Sequence, residues 1–195
     1  EVIVHLRRAT AVDPAWLPAL FPDDHHVHDG AAWDETRRRV IARKETRFRD
    51  LVVEAHESDH HVNLDQAAAL LAERVLNGEL VLKNWDHGVE QWTARLLLLG
   101  RTMPELGMPG WCDEDKAAAV AQICHGAVSY KEIKEANVWQ VLREWLSPAQ
   151  RGALDSYCPE RITLPNGQSA RITYEPGRDP FISVRVSHLF GVWET

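Results

Sequence analysis

Hydrophobic periodicity changes twice along these 195 residues, and that double change constrains the fold more than any single motif. Alternation every second residue suits a strand with one face on a core. Recurrence every three to four residues suits an amphipathic helix. Residues 1–58 read mainly as β. Val2, Ile3, Val4 and Leu6 belong to an apolar run that suits a buried strand. Asp13-Pro14 reads as an N-cap with proline in the first helical position, opening a short helix through Trp16, Leu17 and Leu20 that Pro22 ends. Residues 23–30 read as a polar loop, with Asp29-Gly30 as its turn signal. Beyond it, Val40 and Ala42 alternate with Arg37, Arg39, Ile41 and Arg43. A turn near Glu45 then leads to residues 48–55, where Leu51, Val53 and Ala55 share a face. The expectation is a two-stranded hairpin with a basic outer surface.

Residues 57–62 form a polar, His-rich connector, and residues 63–157 read as helical. Asn63 followed by Gln66 resembles a capping box, and Asn77-Gly78 is a stop signal. Trp92, Leu96 and Leu99 lie on one helical face, closed by Pro104. Asp113 opens a helix through Val120, Ile123 and Cys124. Ser129 with Glu132, Asn137 with Gln140, and Ser147-Pro148 with Gln150 mark three further starts. From residue 158 the chain returns to β: two strands flank Pro165-Asn166-Gly167, and Pro176-Gly177 precedes alternation of Ile182, Val184 and Val186. The fold class is α+β, in three zones: 1–58, a helical bundle over 63–157, and a β-meander over 158–195 packed on the helices.

Composition narrows the function. With 22 basic against 29 acidic residues the net charge is −7, which argues against a uniformly basic nucleic-acid binder but leaves room for a local basic patch. No apolar run approaches the ~18 residues of a membrane span. Cys112, Cys124 and Cys158 have neither the number nor the spacing of a disulfide framework or a cysteine zinc site. Reduced thiols and a cytoplasmic setting are therefore expected. No signal peptide is visible, and a start at Glu1 with a strand-like run at once suggests a fragment or processed product.

Most catalytic constellations are missing. There is no G-x-x-x-x-G-K-[ST] loop to cradle phosphates and no G-x-G-x-x-G following a strand. His25, His26 and His28 sit among Asp23, Asp24 and Asp29, and His60-His61 follow Asp59. Neither group has the helical i, i+4 spacing of a zinc motif, and both read as solvated loops, so no metal site is expected. No G-x-S-x-G elbow is present. Cys124 and His125 are adjacent on a predicted helix and so point in different directions. One patch remains. Arg37, Arg38, Arg39, Arg43, Lys44, Arg47 and Arg49 crowd a short segment of an acidic chain, relieved only by Glu45. Arginines on one side of a sheet neutralise phosphates and stack on bases. Arg37, Arg39, Arg43, Lys44, Arg47 and Arg49 are the candidate nucleic-acid contacts. The competing reading is a solvated edge protected by charge, and a Trp-rich helical zone that docks a protein partner is the alternative function.

Leu154-Asp155, Cys158-Pro159, Thr163-Leu164-Pro165-Asn166-Gly167, Ile172-Thr173-Tyr174, Pro180, Val184-Arg185 and Phe190-Gly191 together resemble the C-terminal signature of HrpB-type bacterial helicases of the DEAH family. Leu82-Lys83-Asn84-Trp85, Arg95-Leu96-Leu97 and Trp145-Leu146 fit the helical region of that family. Residues 33–55 resemble the latter part of its oligonucleotide-binding (OB) fold, so zone 1–58 is expected to be a partial OB-like unit. The resemblance implies a non-catalytic accessory region that guides single-stranded RNA or DNA and braces the motor domains of the same protein. Those motor domains, with their ATP and Mg, would lie before Glu1. No catalytic residue of the family has a matching position here, and no cofactor is expected in this piece.

Overall fold

A computed structural model describes Ala11, Asp13 and residues 15–185. The expected strand at residues 2–6, and Val186, Phe190 and Gly191, lie outside the described residues. The fold is α+β: the described residues form seven α-helices and two three-stranded antiparallel sheets. They fall into two compact units. The first holds the described residues up to Leu70 together with Gly126–Ser129. The second holds Leu71–His125 and the described residues from Tyr130 onward.

In the first unit, helix α1 (Trp16–Leu20) precedes strands β1 (His25–Asp34), β2 (Arg39–Phe48) and β3 (Leu51–Ser58), which pair in the order β1-β2-β3. Asp13 starts α1 by accepting hydrogen bonds from the Ala15 and Trp16 amides. The segment expected as a loop at 23–30 is mostly strand. β1 pairs with β2 along its whole length, from His25 opposite Phe48 to Asp34 opposite Arg39, and Asp29-Gly30 sits inside this ladder. Its backbone groups are satisfied by β2 while most of the His25–Gly30 side chains stay solvated. Polar residues therefore cost little there.

The expected turn near Glu45 is also displaced. β2 runs straight through Glu45, and the chain reverses at residues 35–38 and again at Arg49-Asp50. Both reversals place an arginine in the left-handed region, Arg38 at φ 51° and Arg49 at φ 53°. Arginine seldom occupies that region, so neither turn carries the usual glycine or asparagine signal. The most deeply buried residues of β2 lie near its N-terminal end. Val40 and Ile41, on opposite faces, are both almost completely covered, and the Val40 amide donates to the Val128 carbonyl at 2.7 Å.

Helix α2 (Leu64–Leu76) begins at Asn63, whose Oδ1 accepts from the Asp65 and Gln66 amides, and it ends before Gly78 at φ 79°. The boundary between the two units falls within this helix.

The second unit is built on α3 (His87–Thr102), α4 (Asp113–Cys124), α5 (Tyr130–Ile133), α6 (Val138–Glu144) and α7 (Pro148–Tyr157), followed by β4 (Arg161–Thr163), β5 (Ser169–Thr173) and β6 (Phe181–Ile182). Asp86 caps α3 by accepting from the Gly88 amide at 2.8 Å. Ser147 and Gln150 complete the reciprocal box expected at α7, at 3.2 and 3.0 Å. Val89, Trp92, Leu96 and Leu99 form the buried stripe of α3. Each large aliphatic buried in this way contributes about 1.5–3 kcal/mol. The β4–β5 reversal uses Gly167 at φ 78°, where a residue with a Cβ would be strained. β6 is shorter than the alternation implies: Phe181 and Ile182 pair with Thr173 and Ile172, and Val184 lies outside the ladder.

Side chains of α3 hold the terminal meander to the helices. The Gln91 amide donates to the Tyr174 carbonyl and accepts from the Tyr174 amide, both at 2.9 Å, and so substitutes for a neighbouring strand. Arg95, 2% exposed, donates to the Cys158 carbonyl at 2.6 Å, to Glu160 at 3.0 Å and to Asp155 at 2.8 Å.

Candidate nucleic-acid interface

The strand periodicity of β2 aims Arg39, Arg43 and Arg47 at one face, with Ile41 and Glu45 between them. Lys44 points to the other face with Val40, Ala42 and Thr46. Arg37 belongs to the β1–β2 turn and Arg49 to the β2–β3 turn. Because of the displaced turns, the six candidate residues occupy three places. Only Arg39, Arg43 and Arg47 make a row on one strand face; Arg37 does not join it.

Carboxylates meet the row and the turn arginines. Arg37 reaches both oxygens of Asp59, at 3.0 and 3.2 Å, and Arg39 lies 4.0 Å from the same group. Glu45, largely buried, sits between Arg43 and Arg47: Arg47 Nε donates to its Oε2 at 2.7 Å, and Arg43 Nε lies 2.8 Å from its Oε1. The second contact lacks the alignment of a hydrogen bond, so it acts through charge attraction. Hydrogen bonding from Arg47, with the charges of Arg47 and Arg43, holds the Glu45 carboxyl below its ordinary range despite desolvation. Arg43 also faces Glu57 at 3.5 Å. Arg49 donates to Asp24 at 2.8 Å, an interaction that lowers the Asp24 pKa and raises that of Arg49. Among the described residues, Lys44 is exposed and has no ion pair.

A cavity of about 570 Å³ in the same unit is lined by Arg43, Lys44, His56 and His61 together with Asn63 and Gln66. Lys44 stands directly opposite His56 in the β2–β3 ladder. Cross-strand pairing thus sets His56 beside Lys44, and His61, beyond the end of β3, lines the same cavity; their sequence positions give no reason to group either with the basic segment. Arg43 and Lys44 with the amides of Asn63 and Gln66 give this cavity groups suited to a phosphodiester, set against one carboxylate, Asp29. The cavity at the β1–β2 turn, about 640 Å³, is more acidic, with Asp34, Glu57 and Asp59 on its walls beside Arg37.

Other candidates resolve structurally. His25, His26 and His28 lie on β1, and no group of three His, Cys, Asp or Glu side chains among the described residues could hold a metal ion. Cys124 is buried, and desolvation pushes its thiol to about 11. Cys112 is exposed, but hydrogen bonds to Glu114 and Asp115 raise its pKa and oppose thiolate formation. Among the described residues, no helix is long and apolar enough to cross a membrane. The tryptophans of the second unit largely pack on one another. Trp111 meets Trp92 and Trp145 edge-on, each at 5.6 Å, and lies tilted against Trp85 at 6.5 Å. Trp92 is buried, while Trp85, Trp111, Trp139 and Trp145 are half-buried.

Comparison with known proteins finds similarity that extends over both units. Residues 120–195 match a family described as ATP-dependent helicase C-terminal, HrpB_C. The chain is 26% identical over 187 residues to the ATP-dependent RNA helicase HrpB of Escherichia coli K12, covering 94% of this chain and 23% of that protein. A crystal structure of the E. coli DExH-box NTPase HrpB superposes with a TM-score of 0.61 at 25% identity, over 93% of this chain and 23% of that one. A crystal structure of the E. coli DEAH/RHA helicase HrpB gives 0.60 at 25% identity, over 87% and 22%. The chain therefore spans less than a quarter of the relatives it matches.

Proposed function

We propose that this chain, a C-terminal region of an HrpB-type ATP-dependent helicase, is a non-catalytic accessory region that guides single-stranded nucleic acid and braces the helicase motor domains. The observation that carries the first role is strand β2, which projects Arg39, Arg43 and Arg47 together from one face, while Lys44 on its other face lines a cavity with His56 and His61. Guanidinium groups on a strand can follow a phosphate backbone without reading bases. Asp59, Glu45 and Glu57 already occupy these arginines. An incoming phosphate must compete with those carboxylates, so binding on this face is weak and strongly salt-dependent, as a guide for a moving strand requires. The motor domains, with the nucleotide chemistry, are the proposed partners. The relatives are several times longer than this chain, and no loop in this sequence has the glycines and lysine that cradle nucleotide phosphates.

Two experiments test the reading. The purified chain is expected to hydrolyse no ATP, with or without RNA; turnover above the blank that survives repurification refutes the non-catalytic role. For the guiding role, anisotropy of a short labelled single-stranded RNA is measured against salt for the wild type and for the R39E/R43E/R47E variant. If each arginine meets one phosphate, the variant binds more weakly and its slope of log K against log salt flattens by about 2. Sequence preference is expected to stay the same. A folded variant with unchanged affinity and slope removes this face from the interface.

A further inference from the structure

The second unit carries a different kind of cationic surface. Trp139 on α6 forms a wall common to three cavities of about 210, 380 and 550 Å³. Arg143 lies one helical turn further along α6, on the same face, and Arg151 projects from α7. Both arginines line the two larger cavities, and Arg171 of β5 lines the smallest. All three are exposed. Whereas the β2 arginines each face a carboxylate, the guanidinium groups of Arg143, Arg151 and Arg171 have neither an ion pair nor a hydrogen-bond partner among the described residues.

The acidic groups on these walls are mostly engaged elsewhere. Asp155 and Glu160 are paired with the buried Arg95, and Asp86 caps α3. Glu144 is the remaining carboxylate on the walls. The indole of Trp139 is held in place. A Cβ added at Gly88, at the start of α3, would lie 3.3 Å from Trp139 Cζ2, so the absence of a side chain there lets the ring edge pack closely. The half-buried indole presents the rest of its surface to the cavities, and its N–H has no partner among the described residues. A fixed aromatic ring flanked by unpaired guanidinium groups is how proteins hold single strands, with bases stacked on the ring and phosphates on the arginines.

We infer that Trp139, Arg143 and Arg151 form a second single-strand-binding groove in the helical unit, distinct from the β2 face, in which a base stacks on Trp139 and adjacent phosphates meet the two arginines. The inference rests on the reading of this chain as a nucleic-acid guide, and it names a place on the chain that the basic segment does not include.

The test uses the full 195-residue chain and a short labelled oligo(dT), read by anisotropy and by tryptophan fluorescence at several salt concentrations. R143E/R151E changes two exposed residues, so the fold should persist, as circular dichroism can verify. It is expected to lower affinity about tenfold and flatten the salt slope by about 1.4, for two phosphates at roughly 0.7 each. W139A is expected to weaken binding by about tenfold, the scale of one stacked base, and to remove most of the ligand-induced fluorescence quenching, whereas W139F retains most of the affinity. Unchanged affinity and slope in R143E/R151E overturn the groove. If R39E/R43E/R47E loses binding in the same assay while R143E/R151E does not, the guiding role stands on β2 and the groove falls. The reverse result supports the groove and rejects the β2 face. Wild-type protein that fails to bind oligo(dT) overturns both. Polyglutamate competing as well as unlabelled oligo(dT) overturns base stacking and reduces the groove to a general anion site.

Discussion

Replacing Arg95 by methionine is expected to destabilise the second unit by about 2 kcal/mol, and replacing it by alanine by about 4 kcal/mol. Three groups lose a partner, and their exposure decides which loss matters. The Asp155 and Glu160 side chains are 75% and 67% exposed, so both carboxylates rehydrate when the guanidinium is removed. The heavy penalty for an uncompensated buried charge therefore does not arise. The Cys158 carbonyl has no such recourse. It belongs to a residue only 4% exposed, and it accepts the 2.6 Å bond from Arg95 Nε where the chain leaves α7 for β4. Stranding an acceptor of this kind costs about 1–3 kcal/mol. Methionine keeps most of the apolar stem volume, whereas alanine adds a cavity of a size that costs roughly 2 kcal/mol more. Asp155→Asn and Glu160→Gln, each removing one exposed partner, are expected to cost under about 1 kcal/mol. Urea unfolding followed by tryptophan fluorescence measures all four, since Trp92, Trp111 and Trp145 lie in this unit. If Arg95→Met costs no more than Asp155→Asn, the carbonyl is not the critical partner.

The features legible in the sequence are those fixed by local chemistry. Ser147 with Gln150, and Asn63 with Gln66, cap their helices because an oxygen three residues away can reach an orphan amide whatever the rest of the chain does. Gly167 marks the β4–β5 turn for an equally local reason. β1 was not legible, because a strand whose ladder is satisfied by its neighbour and whose side chains are mostly solvated carries no apolar alternation. The two chain reversals use Arg38 and Arg49 in left-handed geometry, which composition does not signal. Glu45, expected near a turn, is instead a largely buried residue in mid-strand. Long-range pairing hid the rest. Residues 37–49 look overwhelmingly cationic when read in order, yet Asp24, Glu57 and Asp59 return to that surface from other elements. Three exposed arginines scattered between Arg143 and Arg171 form no run, and only folding brings them to the cavities that Trp139 walls.

Glu45→Gln is expected to strengthen single-strand binding severalfold and to steepen its salt slope by about 1.4, the opposite of what a structural loss would produce. In the wild type the two oxygens of Glu45 hold Arg43 and Arg47, at 2.8 and 2.6 Å, against the β2 face. A phosphate that approaches either guanidinium must displace a carboxylate already in place. The charges of those arginines hold Glu45 below the ordinary carboxylate range, so it remains ionised and competitive throughout the neutral range. Glutamine has the same shape, and its carbonyl oxygen can still accept one hydrogen bond from Arg47, but it carries no charge. Two cations then become available for phosphates, at roughly 0.7 of slope each. Stability should change by less than about 1 kcal/mol, because the guanidinium groups are partly exposed and readily rehydrate. Anisotropy titration of single-stranded RNA across a salt series, with a thermal melt as control, separates the outcomes. Tighter binding with a steeper slope makes Glu45 an internal competitor for the nucleic acid. Unchanged binding in a folded Glu45→Gln protein shows that phosphate does not reach Arg43 and Arg47, and the β2 face then serves only to hold its own sheet together.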